Sequence, residues 1–313
     1  MKNDPLFYAK ILLFGEYGII KDSMGLSIPY NFYKGAFVYD GSSSAKSRDS
    51  NQHLAKYLEH LKTLASSGDA LADLDLNAFE TDISAGLHFD SSIPQGFGVG
   101  SSGALVAAIY DKYALGKIDS EMDISKVNIV KLKSIFSQME SYFHGKSSGI
   151  DPLICYLNLP LLIKSKEELG TVAIPQESKI GEGAIFLLNS GQPGETQPMV
   201  NIFMEKMKHN GFRSMLKNQF IKYNDACIKA FLKGDIKPLF NNLKHLSAIA
   251  LENFTPMIPN GFVHLWEKGI ESEAYYLKLC GSGGGGYILG FTKDLEEAKK
   301  HLEGHDPEVI YRF

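Results

Sequence analysis

The segment Ile93 to Ala104 reads IPQGFGVGSSGA and stands directly before Leu105 to Tyr113, an apolar run of helical spacing. Backbone N–H groups converging at a helix N-terminus hold phosphate oxygens, and the dipole there favours negative charge. Gly96, Gly98, Gly100 and Gly103 allow an anion to approach closely. The hydroxyls of Ser101 and Ser102 can cap the helix, touch phosphate or ligate a hard cation. A glycine turn that only caps a helix is the plain alternative; four glycines with two serines weigh toward anion binding. The spacing GxGxxG occurs twice, at Gly98, Gly100 and Gly103 and again at Gly281, Gly283 and Gly286. The second copy leads into a strand pattern, and the first follows DSSIPQ rather than an apolar strand, so a dinucleotide site is poorly supported. Gly283 to Gly286 are consecutive glycines, more than a strand connection needs, which predicts a place where backbone meets a ligand.

Three charged residues stand where they need partners. Lys10 lies within the apolar run Tyr8 to Phe14, and a lysine in a buried strand must find a carboxylate or a ligand; a surface strand end is the alternative. Glu140 flanks a helical stripe of Ile129, Leu132, Ile135, Phe136, Met139 and Phe143, so a basic side chain or a metal should meet it. Asp151 precedes Pro152, which suits a first helical position and makes Asp151 an N-cap, where a carboxylate stays ionised as a base requires. A lysine and an aspartate sharing one site would suit phosphoryl transfer. No HExxH pattern occurs, no Ser-His-Asp pattern accompanies a GxSxG elbow, and His144 reads as a helix C-terminal residue rather than a metal ligand.

The elements that must position these residues fit an α+β chain of two domains. Its 313 residues are 44% hydrophobic and 22% charged, an ordinary globular balance. A net charge of −4 without long single-sign runs argues against nucleic acid or an anionic membrane as partner. Cys155, Cys227 and Cys280 form no CxxC pair, which fits a reducing compartment, the cytoplasm by default. The first twenty residues are interrupted by Lys10, Gly15 and Glu16 and read as a strand and turn, not as a signal or a membrane span. Further strands are expected near Ala36 to Tyr39, at Tyr287 to Phe291 and at Val309 to Phe313, with a surface loop from Asp40 to Asn51. Helical spacing starts at Leu54 and returns at Met199 to Met207 and Asn218 to Leu251. Lys179 to Glu182 (KIGE) marks the expected boundary between domains 1–180 and 181–313.

Four segments in order resemble the GHMP kinases, the superfamily of galactokinase, homoserine kinase, mevalonate kinase and phosphomevalonate kinase. They are AKILLFGEYGII (from Ala9), IPQGFGVGSSGA (from Ile93), ESYFHGKSSGID (from Glu140) and KLCGSGGGGYIL (from Lys278). The resemblance implies the two-domain GHMP kinase fold, a ribosomal protein S5 domain 2-like N-terminal domain followed by a ferredoxin-like C-terminal domain. It also implies an ATP-dependent kinase with Mg²⁺ and a small-molecule acceptor; a homodimer is compatible with it. By resemblance Asp151 is the base and Lys10 stabilises the alkoxide. Ser102 and Glu140 would hold Mg²⁺, and Pro94, Gly96, Gly98, Gly100, Ser101, Ser102 and Gly103 would hold the nucleotide phosphates. Glu16, Tyr17, Ser148, Thr196, Gly283 and Gly284 would lie toward the acceptor. The pattern is most similar to that of the mevalonate kinases, implying transfer of the γ-phosphate to the C5 hydroxyl of mevalonate, with phosphomevalonate kinase as the alternative. Tyr17 stands where the pattern has histidine, and Lys146-Ser147 where it has Asn-Pro.

Overall fold

The computed structural model describes residues 5–39, 44–120, 124–165, 168–178 and 181–313, without the side chain of His144. Two compact units emerge. One comprises Met1–Lys10, Pro29–Pro94 and Gly100–Leu159, the other Ile11–Ile28, Gln95–Val99 and Pro160–Phe313. Strands β1 (Phe7–Phe14) and β2 (Gly25–Val38) contribute residues to both. The strand expected near Ala36 is therefore fourteen residues long and ends before Tyr39. Pro29, Asn31 and Lys34 interrupt its apolar run, so that only its end reads as a strand.

In the first unit α1 (Ala45–Ser67) corrects the expected Asp40 to Asn51 loop; residues 40–43 lie outside the described ones. Ser44 caps it, accepting a hydrogen bond from the Ser47 N–H at 3.0 Å, and its first two turns are polar because no residue before Leu54 is buried. There follow α2 (Leu76–Ser84), β3 (His88–Ser91), α3 (Ser101–Tyr113), α4 (Lys126–His144) and α5 (Ile150–Leu157). β3 pairs antiparallel with the end of β2, Phe37 opposite Phe89. Helix α3 is buried at eight of its thirteen residues and packs on α5 and α4.

The second unit carries β4 (Leu161–Ile163), β5 (Leu169–Thr171), β6 (Ala184–Asn189), α6 (Thr196–Lys206) and α7 (Asn210–Met215). The latter runs through a π turn at Leu216–Phe220 into α8 (Ile221–Lys233). Next come α9 (Ile236–Asn253), α10 (Phe262–Ser272), β7 (Tyr276–Leu279), β8 (Tyr287–Thr292), α11 (Leu295–His301) and β9 (Glu308–Arg312). The helical stretch expected from Asn218 to Leu251 is broken at Gly234, which caps α8 in the left-handed region. β6 to β9 form an antiparallel sheet in the order β7-β8-β6-β9, the ferredoxin-like arrangement, with Leu187 opposite Leu289 at its buried centre. Of the expected boundary residues, Lys179 and Ile180 lie outside the described ones. Among the described residues no helix is long and apolar enough to cross a membrane.

Candidate functional site

In the first unit the chain brings Lys10, Gly100, Ser102, Gly103, Glu140 and Asp151 together. Lys10 is buried, and its Nζ lies 2.9 Å from Asp151 Oδ2, whose side chain keeps 38% of its surface exposed. Gly100, at φ +84°, caps α3 without a side chain; a Cβ there would strike Lys10 Cγ at 2.8 Å. Gly103 lies within α3 rather than before it, because a side chain at that point would meet the Asp151–Pro152 backbone at 2.8 to 2.9 Å. The absence of one Cβ thus sets α3 against the start of α5. Asp151 is not the N-cap: Gly149 caps α5 in the left-handed region, and Asp151 stands in the first turn. The helix dipole still favours a carboxylate there.

Glu140 is buried at 3% exposure and meets two hydroxyls: Ser102 donates to Oε1 at 3.0 Å and Ser147 donates to Oε2. Burial pushes its carboxyl up to about 7, the charge of Asp151 adds to the rise, and the two serines and Lys10 oppose it. A buried carboxylate beside a hydroxyl fits a hard cation. Mg²⁺ commonly takes one or two carboxylates and completes its shell with phosphate and water. Ser101 is half-buried beside Ser102 on the first turn of α3, and Pro94, also half-buried, ends the 29–94 segment. Ser148 is exposed, and its hydroxyl accepts the Ile150 N–H at 3.4 Å.

In the second unit the glycine-rich loops meet protein. A Cβ at Gly96 would strike Pro193 at 2.7 Å and one at Gly98 the Cys280 carbonyl at 2.6 Å. At Gly283, Gly285 and Gly286 the obstacles are the Met257 carbonyl, the Pro193 carbonyl and the Phe97 backbone, and at exposed Gly284 the Met199 side chain. The run of glycines therefore has a packing cause in this unit. Exposed Thr196 opens α6 and accepts a hydrogen bond from Ser282 Oγ at 3.4 Å. Tyr17 is buried between Phe203 and Phe254, centroids 4.7 and 5.5 Å away, and its hydroxyl donates to the Ser282 carbonyl at 2.6 Å. Burial raises its phenol well above the usual range.

Glu16 is turned inward to Lys278 in an ion pair buried on both sides, and Lys278 also donates to the Leu279 carbonyl at 3.1 Å. Burial raises the Glu16 carboxyl and the Lys278 charge opposes that rise; its Oε2 has no hydrogen-bond partner among the described residues. Sequence reading gave Lys278 and Ser147 no role. A lysine inside YYLKLC was the signal for the first, by the logic that singled out Lys10; Ser147 gave none beyond its place two residues before a capping glycine.

Residues 53–158 match the model of the GHMP kinases N terminal domain. The fold is that of the GHMP kinases. A mevalonate kinase of Archaeoglobus fulgidus is 24% identical over 214 residues, which are 67% of this chain and 66% of that relative. The chain thus spans just under two thirds of the curated relative it matches. Among solved GHMP kinase structures, L. major mevalonate kinase in complex with R-mevalonate is similar at a TM-score of 0.64 and 16% identity, covering 100% of this chain and 97% of that one. Streptococcus pneumoniae phosphomevalonate kinase in complex with phosphomevalonate and AMPPNP gives 0.62 and 13%, covering 99% and 98%.

Proposed function

We propose that this chain is an ATP-dependent small-molecule kinase that transfers the γ-phosphate of ATP to the C5 hydroxyl of mevalonate. The observation that carries the reading is buried Lys10 held 2.9 Å from a half-open Asp151 at the start of α5, against the glycine-capped N-terminus of α3. The match to the GHMP kinases N terminal domain and the likeness to two mevalonate kinases and a phosphomevalonate kinase support it.

Phosphoryl transfer asks mainly for positioning and charge neutralisation. Backbone N–H groups at the start of α3, with Ser101, orient the nucleotide phosphates; Pro94, Gly96 and Gly98 are assigned to the nucleotide by the family pattern. Asp151 accepts the proton of the attacking hydroxyl at its exposed carboxylate, and Lys10 stabilises the developing alkoxide. Ser102 and Glu140 would hold Mg²⁺, which when bound neutralises phosphate charge. By the family pattern we assign Ser148 in the first unit to the acceptor; in the second unit the pattern assigns Thr196 and Gly284, with Glu16, Tyr17 and Gly283 buried. We keep 1–180 and 181–313 as the functional division.

Phosphomevalonate is the second reading, favoured by Tyr17 in the histidine position and by exposed Lys146, a cation suited to an acceptor phosphate. Coupled ADP release with Mg-ATP and mevalonate, phosphomevalonate, galactose or homoserine tests both. The highest kcat/KM is expected with mevalonate; a preference for phosphomevalonate would replace the first reading with the second. Nucleotide binding without ADP release on the whole panel would sink the kinase assignment.

A further inference from the structure

Ser147 stands seven residues after Glu140, on the turn between α4 and α5, and its hydroxyl is fixed from two sides. It accepts the Gly149 N–H at 3.0 Å, and its own carbonyl accepts the Ser137 hydroxyl at 2.6 Å, which ties the turn back to α4. A hydroxyl has one proton to give, and here it goes to Glu140 Oε2. The turn has little room to drift, since a Cβ on Gly149 would lie 2.1 Å from the Lys133 carbonyl of α4.

The two oxygens of Glu140 are therefore divided, Oε2 to Ser147 and Oε1 to Ser102. We propose that Ser147 is a positioning residue that locks the Glu140 carboxylate so that only Oε1, beside the Ser102 hydroxyl, faces a bound cation. The same hydroxyl holds the Gly149 cap, so the orientation of the cation ligand and the start of the helix bearing Asp151 are set by one group. A proline at this position has no hydroxyl and would leave Oε2 without this donor. The inference rests on the kinase reading, and specifically on Glu140 as cation ligand.

The test uses the full chain with Mn²⁺ and ADP. Mn²⁺ affinity is read by electron paramagnetic resonance, and the KM for Mg-ATP is compared with kcat. Ser147→Ala should weaken Mn²⁺ about tenfold, the scale of one charge-assisted hydrogen bond, and raise the KM by more than it lowers kcat. The isosteric pair Ser147→Thr and Ser147→Val separates the hydroxyl from packing: Thr should restore Mn²⁺ affinity and Val should not, at matched melting temperatures. Equal Mn²⁺ affinity in Thr and Val variants would overturn the proposal even if the Ala variant failed to fold. If the unaltered protein bound no Mn²⁺ with ADP, the kinase reading would fall first and this inference with it.

Discussion

Lys10 and Lys278 both lie in apolar strands and both meet a carboxylate, yet Asp151 keeps 38% of its side chain exposed while Glu16 keeps 6%. The pairing chemistry is the same; access is not. A base must reach a ligand, and a sealed pair cannot, so exposure of the acid separates a working pair from one that holds a fold. Lys278 is packed further by the face of Phe14, its Nζ 5.6 Å from the ring centroid, and nothing in such surroundings lets the charge serve a ligand.

That contrast can be broken most forcefully at Asp151. Asp151→Asn should lower kcat by about 10²–10⁴ while nucleotide affinity, measured by calorimetry, stays near that of the parent. An Asn variant with parental turnover would erase the distinction. At the other pair the loss should appear in stability. Lys278→Met leaves Glu16 buried with no counter-charge and should cost roughly 3–5 kcal/mol in urea unfolding, and adding Glu16→Gln should return part of it. A Lys278→Met variant as stable as the parent would mean that the pair is not structural.

The smallest effect belongs to Glu140, which lies between the two cases: buried like Glu16 and placed like Asp151. Its carboxyl is raised to about 7 from an ordinary 4.5, so between those values the folded chain holds a proton that the unfolded chain releases. The stability linked to it is complete below pH 4.5 and declines as pH rises through 7. Glu140→Gln, which cannot ionise, should melt a few degrees above the cation-free parent at pH 8, with the gap closing toward pH 4.5. A constant gap across that range would show that the carboxyl titrates normally.

Legibility from sequence followed the range of the interactions. Leu54, Tyr57, Leu58 and Leu61 announce α1 because burial repeats with the helix, whereas Ser44 to Asn51 carry no apolar period and looked like a loop. Lys10, Glu140 and Asp151 stood out because each broke a local rule, a charge in an apolar strand, on a core stripe or before proline. Partners were another matter. Glu16 and Lys278 are 262 residues apart and Tyr17 reaches Ser282 across 265, and no periodicity reports such pairs. The glycine run before Tyr287 looked like an opening for a ligand because sequence counts missing side chains and cannot tell what fills the space they leave.

Gly103 acts as a gauge of distance. With no side chain between them, α3 and α5 approach until backbone meets backbone, and a single methyl at that point would lie 2.8 Å from Asp151. The spacing between the start of α3 and Asp151 is thereby machined into the main chain rather than tuned by rotamers.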